Sequence, residues 1–287
     1  MSQIINAKIM QNAPIAHNIY DMRLKAPGGI NARAGQFLSI FTNNPKMLLP
    51  RPLSICEIDS DGSSLRIVYR IAGAGTKELA TYTPGQELRI LGPVGNHFEV
   101  DNNFEMDTNS PHKSFAIVGG GIGVPPLLEL CKLIRGQLPD ANIDVFLGFR
   151  SMGHVILEDD FRKYSDNLVI STDDGAYGTK GNAVEMMELA IKNMTLSVKN
   201  MTPAEKDSHK PFDMAYGCGP NVMLAGLYEC AKKYDIPCFV SMEEHMACCV
   251  GACLACVVNF KEHGGGIAKK RVCADGPIFD AKELVWK

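Results

Sequence analysis

The chain has 287 residues and a net charge of −3, from 29 Lys and Arg against 32 Asp and Glu. At roughly 150 residues per domain this length suggests about two domains. The mild acidity excludes the basic signature of a nucleic-acid binder. With 46% hydrophobic and 21% charged residues, the composition is that of a chain that folds around a core. No apolar run approaches the roughly 18 residues of a membrane span. Met1 to Lys8 show no basic segment leading into an apolar one. A soluble, cytoplasmic protein is expected.

Residues 1–100 hold short β-like runs at 36–41, 65–70 and 87–91, separated by breakers such as Pro27-Gly28-Gly29, Asp61-Gly62 and Pro84-Gly85. Short strands at this spacing predict an antiparallel barrel or sandwich. Thr76 to Ala80 reads as one short helix with Thr76 as its cap. Within this stretch Arg51-Pro52-Leu53-Ser54 combines a planar guanidinium suited to a diphosphate with a hydroxyl able to hydrogen-bond a flavin ring. An ordinary β-turn is the competing reading of those four residues. Gly73-Ala74-Gly75-Thr76 is a second possible phosphate cradle.

A polar linker from Asp101 to Pro111 precedes a second stretch, 111–240, in which strands and helices alternate. Strands are expected at 114–118, 143–149, 168–171 and 212–216, and helices at 125–135, 183–192 and 221–234. This alternation predicts an α/β domain with a parallel sheet. Residues 193–210 are polar and read as a helix end followed by an exposed loop. Gly119, Gly120, Gly121 and Gly123 follow the first strand and open a helix at Pro125. Glycines there would let the backbone approach a pyrophosphate, and the helix start supplies amides. A tight strand–helix turn is the plainer alternative, since Pro126 replaces the last glycine of the dinucleotide fingerprint. A second loop, Cys218-Gly219-Pro220, follows a later strand, where ligands of open α/β sheets sit. Cys218 there could face a nicotinamide, or be a packed thiol in a glycine-bracketed turn. Arg150, at the end of the second strand, leaves NAD and NADP both open.

Five of the ten cysteines fall between 248 and 273. The other five, Cys56, Cys131, Cys218, Cys230 and Cys238, are scattered and read mainly as small buried hydrophobes. The clustered spacing is Cys248-x4-Cys253-x2-Cys256-x16-Cys273, the plant-type [2Fe–2S] pattern. A tight loop delivers three thiolates, and a hairpin with its tip at 263–266 returns the fourth. Gly251 and Ala252 keep bulk low where backbone amides could approach the sulfurs. A zinc site usually shows two C-x2-C pairs, and only one is present. Cys249 adjoins Cys248, and the x4 register favours Cys248 as the ligand. Residues 241–287 are too few for a core of their own, so a bound metal would help hold them.

Taken in order, Arg-Pro-Leu-Ser, Gly-Gly-x-Gly-x-x-Pro and Cys-Gly-Pro resemble the ferredoxin-reductase-like flavoenzymes. The segments Ser241 to Cys248 and Val272 to Phe279 resemble, more narrowly, the electron-transfer subunits of class 1B dihydroorotate dehydrogenases. The resemblance covers nearly the whole chain. It implies an FAD-binding barrel (1–100), an NAD-binding α/β domain (111–240) and a small [2Fe–2S] domain (241–287). Arg51, Pro52, Leu53, Ser54, Val68, Tyr69, Arg70, Gly75 and Thr76 would hold FAD. Cys248, Cys253, Cys256 and Cys273 would hold the cluster. It further implies an FMN-containing catalytic partner that oxidises dihydroorotate, in a heterotetramer of two of each. Electrons would pass from that FMN through the cluster and FAD to NAD⁺, with no acid–base residue on this chain. Three departures stand out: Cys249 where a glycine is expected, Leu53 where many reductases carry an aromatic residue, and a longer polar stretch at 193–210. Rival expectations are a related reductase subunit, of ferredoxin:NADP oxidoreductase or sulfide dehydrogenase type, and a zinc-stabilised binding module. In the former, Asp typically replaces the first cluster cysteine.

Overall fold

The computed structural model describes residues 3–100, 113–197, 210–262 and 264–286. The linker 101–111, most of the polar stretch 193–210 and His263 lie outside these residues. Six strands come first: β1 (Gln3–Ala16), β2 (Ile19–Lys25), β3 (Phe37–Ile40), β4 (Arg51–Ile58), β5 (Ser64–Arg70) and β6 (Glu87–Val94). They close into a barrel in the order β1-β2-β5-β4-β3-β6, with every pairing antiparallel. Period-two alternation drives the closure. In β6, Leu88 and Ile90 point inward while Glu87 and Arg89 point out. They meet Ile9, Met22, Leu24, Leu38, Ile40, Ile55, Leu65 and Ile67, each 1% exposed or less. The long β1 serves both neighbours, β6 with residues 3–8 and β2 with residues 8–16, bending through register shifts near Met10 and Ile15.

The short helix α1 (Ala74–Leu79) joins β5 to β6. Its cap is Gly73, in extended conformation, and not Thr76. Thr76 stands a turn further in, and its hydroxyl accepts from the Ala72 and Gly73 amides at 2.9 and 3.2 Å. Glycine has no side chain to cap with, so the hydroxyl reaches back to the donors instead.

Eight more strands and four further helices follow among the described residues: β7 (Ser114–Gly120), α2 (Pro125–Gln137), β8 (Asn142–Phe149), α3 (Glu158–Phe161), β9 (Asn167–Thr172), β10 (Thr179–Lys180), α4 (Ala183–Ser197), β11 (Met214–Cys218), α5 (Asn221–Lys233), β12 (Cys238–Ser241) and the hairpin β13 (Val257–Lys261) and β14 (Ile267–Arg271). A last turn of helix, α6 (Val272–Asp275), leads into β15 (Ile278–Asp280). The sheet runs β10-β9-β8-β7-β11-β12-β15, parallel throughout except for β15, which pairs antiparallel with β12. Alternate residues of its strands go to opposite faces. Ile117, Ile143, Val145 and Leu147 pack with Leu127, Leu130 and Ile134 of α2. Ala116, Val118 and Phe146 pack with Met187 and Ile191 of α4 and Leu224 and Leu227 of α5.

Residues after 241 share the second of these cores and have none of their own. Val258, Phe260, Val272, Phe279 and Leu284 are continuous with Leu224 and Val240. All five scattered cysteines are buried, and burial pushes their thiols up. Barrel and sheet are joined by a buried ionic knot. Arg66 of β5, 8% exposed, meets Asp21 at 2.9 Å and Asp160 of α3 at 2.9 Å.

Candidate functional site at the junction of barrel, sheet and cysteine loop

Antiparallel pairing of β4 with β5 sets the start of one strand beside the end of the other. Arg51 to Ser54 and Val68 to Arg70 therefore gather at one end of the barrel, and α1 follows directly. Arg51 to Ser54 form a strand and not a turn, each paired with a residue of β3. The Arg51 guanidinium lies across Gly75, where a Cβ would overlap it. Glycine there leaves room for the guanidinium to lie flat on the helix start, and the two predicted diphosphate residues meet. Tyr69 is placed differently. Its side chain is 1% exposed inside the barrel, with its hydroxyl donating to Asn12 Oδ1 at 3.0 Å. Its side chain is thereby committed to the barrel interior. Leu53 packs against the barrel core. Val68 faces outward, into the core it shares with Ile117 and Val124.

Val124 follows Gly123, so Val68 links the barrel end to the glycine loop. Adjacent parallel strands β7 and β11 carry that loop and Cys218-Gly219-Pro220 at their carboxyl ends. The two loops interlock. A Cβ on Gly123 would lie 2.5 Å from Gly219 N, and one on Gly120 2.5 Å from Met223 Sδ. Gly119 is pressed by Val124, Leu147 and Leu127. Three of the four glycines are therefore explained by packing. Gly121 alone is open to space, at φ +55°. The Cys218 side chain is fully buried, in contact with Ser241. Burial, with the Glu243 charge, holds its thiol protonated. The thiol points into the core and not into an open nicotinamide cleft. Glu243 lies within electrostatic reach of both Cys218 and Arg70. Desolvation raises its carboxyl above the ordinary range, and Arg70 offsets part of that rise.

The cysteine loop sorts its thiols into two pairs. Cys248 hydrogen-bonds with Cys253, and Cys256 with Cys273. Main-chain amides point at three of the sulfurs. Cys248 Sγ accepts from Val250 N at 3.5 Å and Cys253 N at 3.3 Å. Cys273 Sγ accepts from Gly251 N at 3.2 Å, and Cys256 Sγ from Cys273 N at 3.4 Å. Desolvation alone would raise the Cys248 thiol, but these amides and Cys253 outweigh it and bring it down to about 6. Desolvation and Cys256 push Cys273 up to about 12. Gly251, at φ +78°, has Ala274 2.9 Å from where its Cβ would stand. The low bulk expected at that position is what lets its amide reach Cys273. Arg271 braces the loop, gripping Asp275 with Nε and Nη2 at 2.9 Å each and donating to Gly251 O at 3.0 Å. Among the described residues no three His, Cys, Asp or Glu side chains converge on a single-ion point. Two thiol pairs with amide donors form the donor set that a two-iron, sulfide-bridged centre uses, two sulfurs to each iron. The thiol of Cys249 stands apart from both pairs and faces Ser39 of β3.

A clamp ties this loop to the barrel. The Asn96 amide donates to Gly276 O at 2.6 Å, and its side chain both donates to Ile278 O at 2.8 Å and accepts from Ile278 N at 2.9 Å. The three predicted sites therefore meet at one junction. Sequence reasoning missed Ser39, Asn96 and Arg271. Only Arg271 had a readable signal, its i,i+4 spacing to Asp275 around Cys273.

Residues 243–285 match the family model described as the iron-sulfur cluster binding domain of dihydroorotate dehydrogenase B. The chain is 34% identical over 282 residues to the dihydroorotate dehydrogenase B (NAD(+)) electron transfer subunit of Clostridium perfringens, covering 98% of each chain. The subunit of the same name from a Geobacillus strain is 36% identical, covering 96% of each. Among solved structures, that of the NADH-dependent reduced ferredoxin–NADP oxidoreductase superposes with a TM-score of 0.75 at 26% identity, covering 98% of this chain and 90% of the other. Full-length identity above 30%, the cluster-domain match and the barrel–sheet architecture agree, and the chain belongs to the family of dihydroorotate dehydrogenase B electron-transfer subunits.

Proposed function

We propose that this chain carries electrons from the FMN of a dihydroorotate-oxidising partner subunit to NAD⁺, using a [2Fe–2S] cluster and FAD. Cys248, Cys253, Cys256 and Cys273 hold the cluster. Arg51 clamps the FAD diphosphate over Gly75, with Pro52, Leu53, Ser54, Val68, Arg70, Thr76 and the Tyr69 main chain along the flavin. Gly119 to Gly123 and Cys218 to Pro220 form the floor for NAD. When bound, the cluster handles single electrons and the flavin converts between one- and two-electron transfer. The chain's own task is to fix spacing and to exclude water, and none of its side chains is assigned proton transfer. The domain limit near 241 follows the cofactor and not a separate core, whereas the limits near 100 and 111 divide the barrel from the sheet. A heterotetramer of two chains of each kind, working in the cytoplasm in pyrimidine synthesis, completes the reading. Among the described residues no helix is long and apolar enough to cross a membrane.

One observation carries this proposal: barrel end, glycine loop and paired thiols adjoin at a single junction, through Val68 with Val124 and Ser39 with Cys249. The test is anaerobic reconstitution with iron, sulfide and FAD. NADH is expected to bleach the flavin absorbance and to produce the low-temperature paramagnetic signal of a reduced two-iron centre. Cys248→Ser and Cys253→Ser should each lose that signal while retaining flavin. A wild-type chain that takes up zinc but neither flavin nor iron would refute the proposal.

A further inference from the structure

We infer that Cys249 is a positioning residue, a wedge that seals the cluster loop onto the barrel strand next to the flavin motif. The inference rests on the cofactor assignment proposed above. Cys249 sits at φ +58°, the left-handed region that favours glycine and strains any residue with a side chain. Such strain persists where the surroundings over-determine the conformation. Here they do. Cys249 is 1% exposed, packed in one cluster with Phe37 and Val94 of the barrel and with Cys256 and Cys273 of the loop. Its sulfur joins neither thiol pair and faces the Ser39 hydroxyl. Ser39 is 0% exposed, and its Oγ has no regular hydrogen bond in the structure, so the Cys249 thiol is the polar group available to it. Ser39 is paired across β3 and β4 with Pro52, the second residue of the Arg51 to Ser54 strand. One side-chain contact therefore spans from the neighbour of a cluster ligand to the neighbour of the flavin strand. Glycine at 249 would relieve the strain but leave a gap there and remove the sulfur that faces the hydroxyl. A thiol fills the gap and offers the hydroxyl a weak partner.

The experiment uses the full chain loaded with iron, sulfide and FAD, in wild type, Cys249→Gly, Cys249→Ala, Ser39→Ala and Cys249→Ala with Ser39→Ala. Four quantities are read: cofactor content, thermal midpoint, the paramagnetic spectrum of the reduced cluster, and the rate at which NADH-reduced flavin passes electrons to it. Cys249→Gly should keep full iron and flavin, shift the spectrum and slow that rate roughly fivefold, the scale of one lost buried polar contact. The double variant should be no slower than either single alanine variant. Full loading with an unchanged rate and spectrum would overturn the wedge, and so would additive effects of the two alanine substitutions. Loss of iron in Cys249→Gly would overturn it too, by making Cys249 a ligand. Ser39→Ala tests the same contact from the barrel side if the glycine variant fails to fold. A wild-type chain that binds no cofactor would defeat the proposed function and not this inference.

Discussion

Gly75 and Arg51 are the pair on which the proposed flavin capture turns. Gly75→Ala forces a methyl into the space of the guanidinium. The guanidinium must swing aside, and losing its charged contact should cost about 1.5–3 kcal/mol, roughly 10- to 150-fold in flavin affinity, which flavin retained after gel filtration measures. Glu243 makes a prediction about acidity. Its carboxyl is raised mainly by desolvation, so the folded chain holds that proton more tightly than the unfolded chain. Its contribution to stability is full below the ordinary carboxylate value and is lost as pH rises through the raised one. Denaturant midpoints of wild type should therefore fall relative to Glu243→Gln as pH rises above the ordinary glutamate range. The gathering of Cys248, Cys253, Cys256 and Cys273 in one loop was legible at this scale because four thiolates on two irons would tolerate few spacings. Tyr69 and Cys218 were not legible, since a motif says which residue is present and not which way its side chain points. The glycines of 119–123 were legible as a tight turn, yet the cause of two of them, Gly120 and Gly123, lies in the distant segment from Cys218 to Met223.

Asn96 holds the turn after β6 against the segment entering β15, with three hydrogen bonds to residues 276 and 278. Asn96→Ala keeps the main-chain bond and strips the side chain's bonds to Asp275 O, Ile278 O and Ile278 N, leaving the Ile278 amide and carbonyl unsatisfied. At about 1–3 kcal/mol for each buried unpaired group, the loss should lower the unfolding midpoint and loosen the clamp. Hydrogen exchange at Ile278 would report the second effect. Elements with plain periodicity were readable: β5, β7, β8, α2 and α5 fall where alternation or helical spacing puts them. β1 was not, because Pro14 and the bulges near Met10 and Ile15 break its alternation. β4 was not either, since a proline at its second residue looks like a turn until β3 is seen to pair with it.

Domain order and cofactor count were legible across the whole molecule, but the way the parts lock was not. The knot around Arg66 draws on four elements, β2, β4, β5 and α3, and no local pattern announces it. Arg66→Met leaves Asp21, 4% exposed, with an uncompensated charge. Breaking one side of such a pair costs about 3–5 kcal/mol, and calorimetry should show it as a lowered transition. Adding Asp21→Leu should restore much of the loss. The antiparallel pairing of β15 with β12 has a consequence for biosynthesis. A nascent polypeptide still held at the ribosome with residue 280 unreleased has a bare edge on its nucleotide-binding sheet and no partner for Asn96. Metal delivered before β15 has paired would meet a cysteine loop that lacks the Asn96 clamp, so cluster loading is expected to be more complete once that strand closes the sheet. A stalled or truncated product lacking those three residues would expose an adhesive strand to its neighbours.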